Sequence, residues 1–207
     1  MKIYDCFTFY NEFELLELRL KALWDVVDYF VLVEADRTHT NKPKPFYFYE
    51  YQDDFKEFLP KLRFIPAYLS NLPYKGTGDW SIENFQRNAI MNGLVDAQPD
   101  DLIMISDMDE IPEPDVLKNL DKTPLIDHED VNALDMLNIG WELAMSQKFF
   151  YYYFDLISKV SWQGTTLIKR SRLKTPQHLR LRRNKVSRVG GGITSLTWAA
   201  WIALSTR

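Results

Sequence analysis

Two rhythms of apolar residues run along the first half of the chain. "KIYDCFTF" is a short β-rich run, and "NEFELLELRLKALWDVV" places Phe13, Leu16, Leu20 and Leu23 on one helical face. "DYFVLVEAD" is apolar at nearly every position, which suits a strand covered on both sides, as parallel strands are. These three segments make a βαβ unit with an expected right-handed crossover. The proline-broken "RTHTNKPKPFYFYEY" reads as a loop leading to an exposed segment. "DDFKEFLPKL" then predicts a short helix, "RFIPAYL" a strand, and "SIENFQRNAIMNGLVDA" a helix with Ser81 as N-cap. "PDDLIMISDMDE" predicts a buried strand that runs directly into Asp107, Asp109 and Glu110.

This alternation predicts an α/β fold with a mostly parallel central sheet, and ligands of such sheets gather at the carboxyl ends of the strands. "IPEPDVLKNL" suits a helix with prolines in its first turn. Beyond it the pattern changes. "KFFYYYFDLISKVSWQGTTLIKRSRL" is aromatic and β-branched and predicts antiparallel strands, with Phe149 to Phe154 as a buried strand. Residues 1–189 read as one domain. Residues 190–207, with three glycines, two tryptophans and no strand or helix pattern, read as an atypical tail with no native place to pack, and disorder or poor solubility is expected there.

A chain of 207 residues can bury a substantial core, and its net charge of −4 does not indicate a nucleic-acid partner. The basic residues cluster only between Lys169 and Arg188, where they can meet an anion. Cys6 stands alone, which excludes an internal disulfide and fits a buried thiol in a reducing compartment. Acids interrupt the N-terminal apolar stretch, and no run reaches the ~18 apolar residues of a membrane span. The expectation is a cytoplasmic protein without a transmembrane segment.

Three acids at the end of a buried strand need an explanation. Asp107 and Asp109 flank one residue, so on an extended chain their side chains point the same way. Paired carboxylates repel unless a cation lies between them, and Mg2+ or Mn2+ is commonly held by one or two carboxylates plus substrate phosphates. Asp107 and Asp109 are therefore the expected metal ligands, facing a diphosphate-bearing substrate. The alternative is that the acids solvate a strand end or cap the next helix.

"KIYDCFTFYNEFELLELRL", "DYFVLVEADRTHTNKPKP", "ENFQRNAI", "DDLIMISDMDEIP" and "WQGTTLIKRSRLKTPQHLR", in this order, resemble glycosyltransferase family 17. The resemblance implies a GT-A-like nucleotide-sugar-binding domain with a D-x-D at the metal. It also implies inverting transfer of N-acetylglucosamine from UDP-GlcNAc to a glycan acceptor. Asp107 and Asp109 match the D-x-D. Arg87 is placed either to grip a phosphate or to make a surface salt bridge. Phe9, Tyr10, Asn11 and Glu12 end the first strand, where a nucleotide lies in such folds; packing is the alternative for Tyr10. Glu34 is a candidate for uracil, ribose or acceptor, or a strand-end acid tied to Arg37. Glu142, Asp135 and Glu113 are candidate bases for the acceptor hydroxyl, unranked. Trp162 is either an acceptor-side residue or core, and His39, His128 and His178 are expected at the surface.

Two rivals stand beside this reading. One is a noncatalytic sugar-nucleotide or glycan-binding protein. The other is a nucleotidyltransferase, which lacks support from any Gly-rich phosphate loop. The tail departs from the ending that the resemblance implies. Read one base out of frame, Gly192-Ile193 can encode His, Ile193-Thr194 Tyr, Trp198-Ala199 Gly and Trp201-Ile202 Asp, close to that ending. A one-base shift upstream of Gly192 is the expectation, and it would remove a C-terminal histidine that the resemblance implies as a further metal ligand. Sequencing the gene tests this.

Overall fold

The computed structural model describes residues 1–69, 72–76, 78–150 and 157–196, with 191–196 as backbone alone. Among these, eight strands form one sheet: β1 (Ile3–Phe9), β2 (Tyr29–Ala35), β3 (Leu62–Ala67), β4 (Leu102–Ser106), β5 (Glu110–Ile111), β6 (Leu143–Phe150), β7 (Trp162–Lys169) and β8 (Ser187–Leu196). The helices are α1 (Phe13–Leu23), α2 (Tyr47–Tyr51), α3 (Ser81–Asn88), α4 (Pro114–Lys118), α5 (Ala133–Asn138) and α6 (Pro176–Arg182). Strand order is β3-β2-β1-β4-β7-β6-β8-β5. The first four strands in that order are parallel, and β7 turns the direction by pairing antiparallel with both β4 and β6. The expected α/β architecture, parallel early and mixed late, is the one observed.

Alternation of side chains explains why the central strands are apolar throughout. Phe7, Phe9, Phe30, Leu32, Leu102 and Met104 enter one core layer with Leu16, Leu20 and Leu23 of α1. Their neighbours Cys6, Val31, Val33, Ile103 and Ile105 enter a second layer with Ile82, Ile90 and Leu94. Successive residues of a strand face opposite sides, so a sheet covered twice needs apolar residues at both parities. The second cover approaches closely at Gly93, in the 3-10 segment Ala89–Leu94: a Cβ there would stand 2.4 Å from a methyl of Val31.

Several local expectations are corrected. The segment after the proline loop is the short helix α2, whose Tyr49 and Tyr51 are exposed as expected while Phe48 is buried. Ser81 is the first helical residue rather than the cap; Asp79 accepts its backbone N–H at 2.9 Å. Pairing in β8 continues to Leu196, beyond the boundary expected at Val189, because β6 and β5 lie on either side of it. Phe149 and Phe150 belong to β6; the rest of the expected strand, 151–154, and the tail 197–207 lie outside the described residues. Among the described residues no helix is long and apolar enough to cross a membrane.

Candidate active site

The registers Phe7↔Ser106 and Phe9↔Glu34 bring the ends of β1, β2 and β4 to one edge of the sheet. Tyr10, Asn11, Glu34 and Asp107 all lie there. Gln86 of α3 secures that edge, donating to the carbonyls of Phe9 (3.2 Å) and Val33 (3.0 Å).

Beyond Ser106 the chain turns instead of staying extended. The N–H of Glu110 donates to the Asp107 carbonyl at 3.1 Å, and Glu110 Oε2 accepts the Asp107 N–H at 2.9 Å. The same-side geometry expected for Asp107 and Asp109 on a strand is therefore replaced by a turn.

Arg19, wholly buried on α1, braces this turn. Its Nε and Nη2 donate to the two Asp5 carboxylate oxygens at 2.7 and 2.6 Å. Its Nη1 reaches the carbonyls of Asp107, Met108 and Glu110 at 3.0–3.2 Å, and Nη2 also reaches Ser106 Oγ at 2.5 Å. The paired charge of Asp5 makes the buried guanidinium tolerable. Neither residue stood out in the sequence, although Asp5 inside an apolar strand and Arg19 among the leucines of α1 are the visible anomalies.

The acids face arginines. Asp107 Oδ1 accepts from Arg87 Nη2 at 3.0 Å and Oδ2 pairs with Arg180 Nη2. Arg180 also donates to both Glu110 oxygens, at 2.6 and 2.7 Å, and to the Gly164 carbonyl at 3.0 Å. Trp162 Nε1 donates to Glu110 Oε1 at 2.7 Å, so this tryptophan belongs to the acid cluster. Arg87 is 4% exposed, and besides Asp107 it binds Glu83 (2.7 Å) and Gln177 (2.6 Å), with its Nε buried and unpartnered. Arg87 is thus a largely buried ion-pair residue of the acid cluster, its terminal nitrogens engaged by Glu83, Gln177 and Asp107. Asp107, in contrast, keeps 39% of its side chain exposed.

Burial opposes ionisation of Asp107, but the charges of Arg180 and Arg87 outweigh it, so its pKa lies below the ordinary carboxylate value. A depressed carboxyl pKa contributes stability above the unfolded value, about 3.9, and loses it as pH falls through the folded value. Denaturation of the protein and of Asp107→Asn should thus differ by a constant amount above about pH 5 and converge below about pH 4. Divergence towards acid pH would contradict the assignment.

The other candidates fall into two groups. Glu34 is buried and accepts the N–H groups of Tyr47 (2.7 Å) and Phe48 (2.9 Å) while pairing with Lys44, not Arg37. It fixes α2, and burial pushes its pKa up against those bonds. Tyr10 packs edge-on against Tyr47 at 5.7 Å under the Lys44 ammonium, and the Tyr10 and Asn11 N–H groups donate to Glu12 Oε2 at 3.0 Å. These residues shape the edge. Among the bases, Glu142 pairs at 2.5 Å with Arg182 of α6, the helix that carries Arg180. Asp135 sits exposed at the start of α5, bonded to its cap Asn132, and Glu113 is the residue before α4. No contact among the described residues joins either to the acid cluster. His39, His128 and His178 are exposed, and Cys6 is a buried free thiol, as expected.

The sequence model of glycosyltransferase family 17 matches residues 1–183. The chain belongs to glycosyltransferase family 17. Curated relatives include the β-1,4-mannosyl-glycoprotein 4-β-N-acetylglucosaminyltransferase of Homo sapiens, 32% identical over 110 residues that make up 51% of this chain and 21% of the relative. The Rattus norvegicus protein of the same name is 32% identical over 110 residues, 20% of its length. The chain thus aligns with about a fifth of these relatives. Similar solved structures include an active-site mutant of LgtC (TM-score 0.44, 11% identity, 90% of this chain and 65% of that one). Another is UDP-glucose pyrophosphorylase with UDP-glucose (TM-score 0.43, 8% identity, 94% and 92%). For this family 17 chain, the acidic turn at the end of β4 and the arginines of α3 and α6 form the candidate site.

Proposed function

We propose that this chain transfers N-acetylglucosamine from UDP-GlcNAc to a hydroxyl of a glycan acceptor, with inversion and with Mn2+ or Mg2+ against the donor diphosphate. The observation that carries the reading is the half-open Asp107 carboxylate in an acidic turn at the carboxyl edge of the parallel strands, within a family 17 chain.

Charge supports the cation. Glu83, Asp107 and Glu110 are matched in number by Arg87, Arg180 and Arg183, so a diphosphate would bring negative charge with no counter-charge left to meet it. A divalent ion reverses that balance. Among the described residues no group of three or more His, Cys, Asp and Glu could cage a metal. Asp107 and Asp109, as the D-x-D, would hold an ion together with substrate phosphate and water, the usual pattern for Mg2+. When bound, the ion offsets charge that builds on the departing diphosphate.

The chain's own residues do the rest. Arg180 holds Asp107 and Glu110 in place, and Arg19 holds the turn from beneath. The acceptor oxygen bonds to the anomeric carbon as the carbon–oxygen bond to the diphosphate breaks, and UDP leaves with that electron pair. A carboxylate takes the acceptor proton; Glu142, tethered beside α6, is the candidate favoured by its partner's position. The buried Cys6 thiol accords with a cytoplasmic setting.

A transfer assay with UDP-GlcNAc and other UDP-sugars, with Mn2+ and after chelation, tests the reading. Transfer from UDP-GlcNAc that disappears with EDTA is expected. Undiminished transfer in EDTA contradicts the metal, and donor binding without turnover would favour the noncatalytic rival.

A further inference from the structure

Arg19 braces the acidic turn from beneath, and three further arginines meet its carboxylates, differing in what they have left to offer. Arg87 and Arg180, 4% and 6% exposed, spend their terminal nitrogens on Glu83, Gln177, Asp107, Glu110 and the Gly164 carbonyl. Arg183 is the exception. It follows α6 directly, keeps 21% of its side chain exposed, and its nearest carboxylate contact is a loose 3.5 Å from Nη1 to Glu110 Oε1. Among the described residues its Nε and Nη2 have no hydrogen-bond partner, and neither atom is buried without one.

The guanidinium is nevertheless held in position. Its carbon lies 4.6 Å from the centre of the Trp162 ring, whose other neighbour is Phe149, stacked at 5.5 Å. A planar cation resting on an aromatic face, with open donors at its edge, is preorganised to take a phosphate by two parallel hydrogen bonds. Burial and the nearby Arg180 charge both disfavour its protonated form, a penalty that an incoming anion would relieve.

We propose that Arg183 is the binding residue for the donor's diphosphate, a role for which the sequence had offered Arg87. This rests on the reading of the donor as a UDP-sugar. Trp162 acts through Arg183 by holding its plane, and Glu110 by anchoring one end of it.

Calorimetric affinities of UDP and uridine, at saturating Mn2+, for the protein, Arg183→Gln and Arg183→Lys test this. Arg183→Gln should weaken UDP roughly ten- to a hundredfold, as expected for one charge-assisted contact, and leave uridine unchanged. Arg183→Lys should fall between, keeping charge without the fork. UDP binding that survives Arg183→Gln overturns the proposal, as does an equal loss for UDP and uridine, which would mean a deformed pocket. If the unsubstituted protein binds neither ligand, the UDP-sugar reading fails first and takes this proposal with it.

Discussion

Replacing Arg19 with methionine is expected to cost about 3–5 kcal/mol of folding stability, because it leaves the Asp5 carboxylate buried without its counter-charge. The cost is far above that of an exposed pair such as Lys21–Glu17, where solvent already screens both charges and the expected contribution is about 0–1 kcal/mol. Urea denaturation measures it. A loss below about 1 kcal/mol would show that the pair carries no such weight. Substituting both partners, Asp5→Leu with Arg19→Met, should recover much of the stability, since no charge is then stranded. Transfer should not recover with it. The carbonyls of Asp107, Met108 and Glu110 would still lack the donor that shapes the turn, so stability and activity separate in the double variant.

Loss of the D-x-D acids is the second large effect. Asp109→Ala is expected to lower transfer by about a hundredfold or more, above the 10–100-fold typical of residues that only orient a metal ligand. Asp107→Asn should lose activity and stability together, since Arg87 and Arg180 are almost fully buried and would each give up a carboxylate partner. Initial rates at saturating donor, set beside melting curves, distinguish the two variants. Asp109→Ala with activity within threefold of the unsubstituted protein would remove this residue from the reaction.

Much of the scaffold was legible because burial on two sides leaves an unambiguous pattern. "DYFVLVEAD" and "DDLIMISD" carry apolar residues at both parities, which a strand covered on one side would not need. The later part was less legible. β8 contains Gly190, Gly191 and Gly192, whose composition argues against a strand, yet β6 and β5 supply the pairing that holds it. Helix α2 was hidden for a related reason: its start is secured by Glu34, distant in sequence, through the N–H groups of Tyr47 and Phe48.

At the site, the acids were visible and their partners were not. Periodicity marks Asp107 as the residue where the apolar strand stops, but nothing local says that Arg180, far along the chain, will meet it. The same holds for Arg87, read as a phosphate grip or a surface salt bridge, whose partners Gln177 and Asp107 are met only in the fold. Repulsion between Asp107 and Asp109 called for a positive charge, and the sequence offered only a metal ion. The fold answers part of that demand with guanidinium groups, and the charge a donor diphosphate would bring is what a cation would neutralise.

That remaining demand can be measured directly by titrating the protein with UDP-GlcNAc, once at saturating Mn2+ and once after chelation. Affinity at least tenfold higher with the ion is the predicted result. Equal affinities in the two titrations, or no uptake in either, would contradict a site built to hold a sugar donor's diphosphate through a divalent cation.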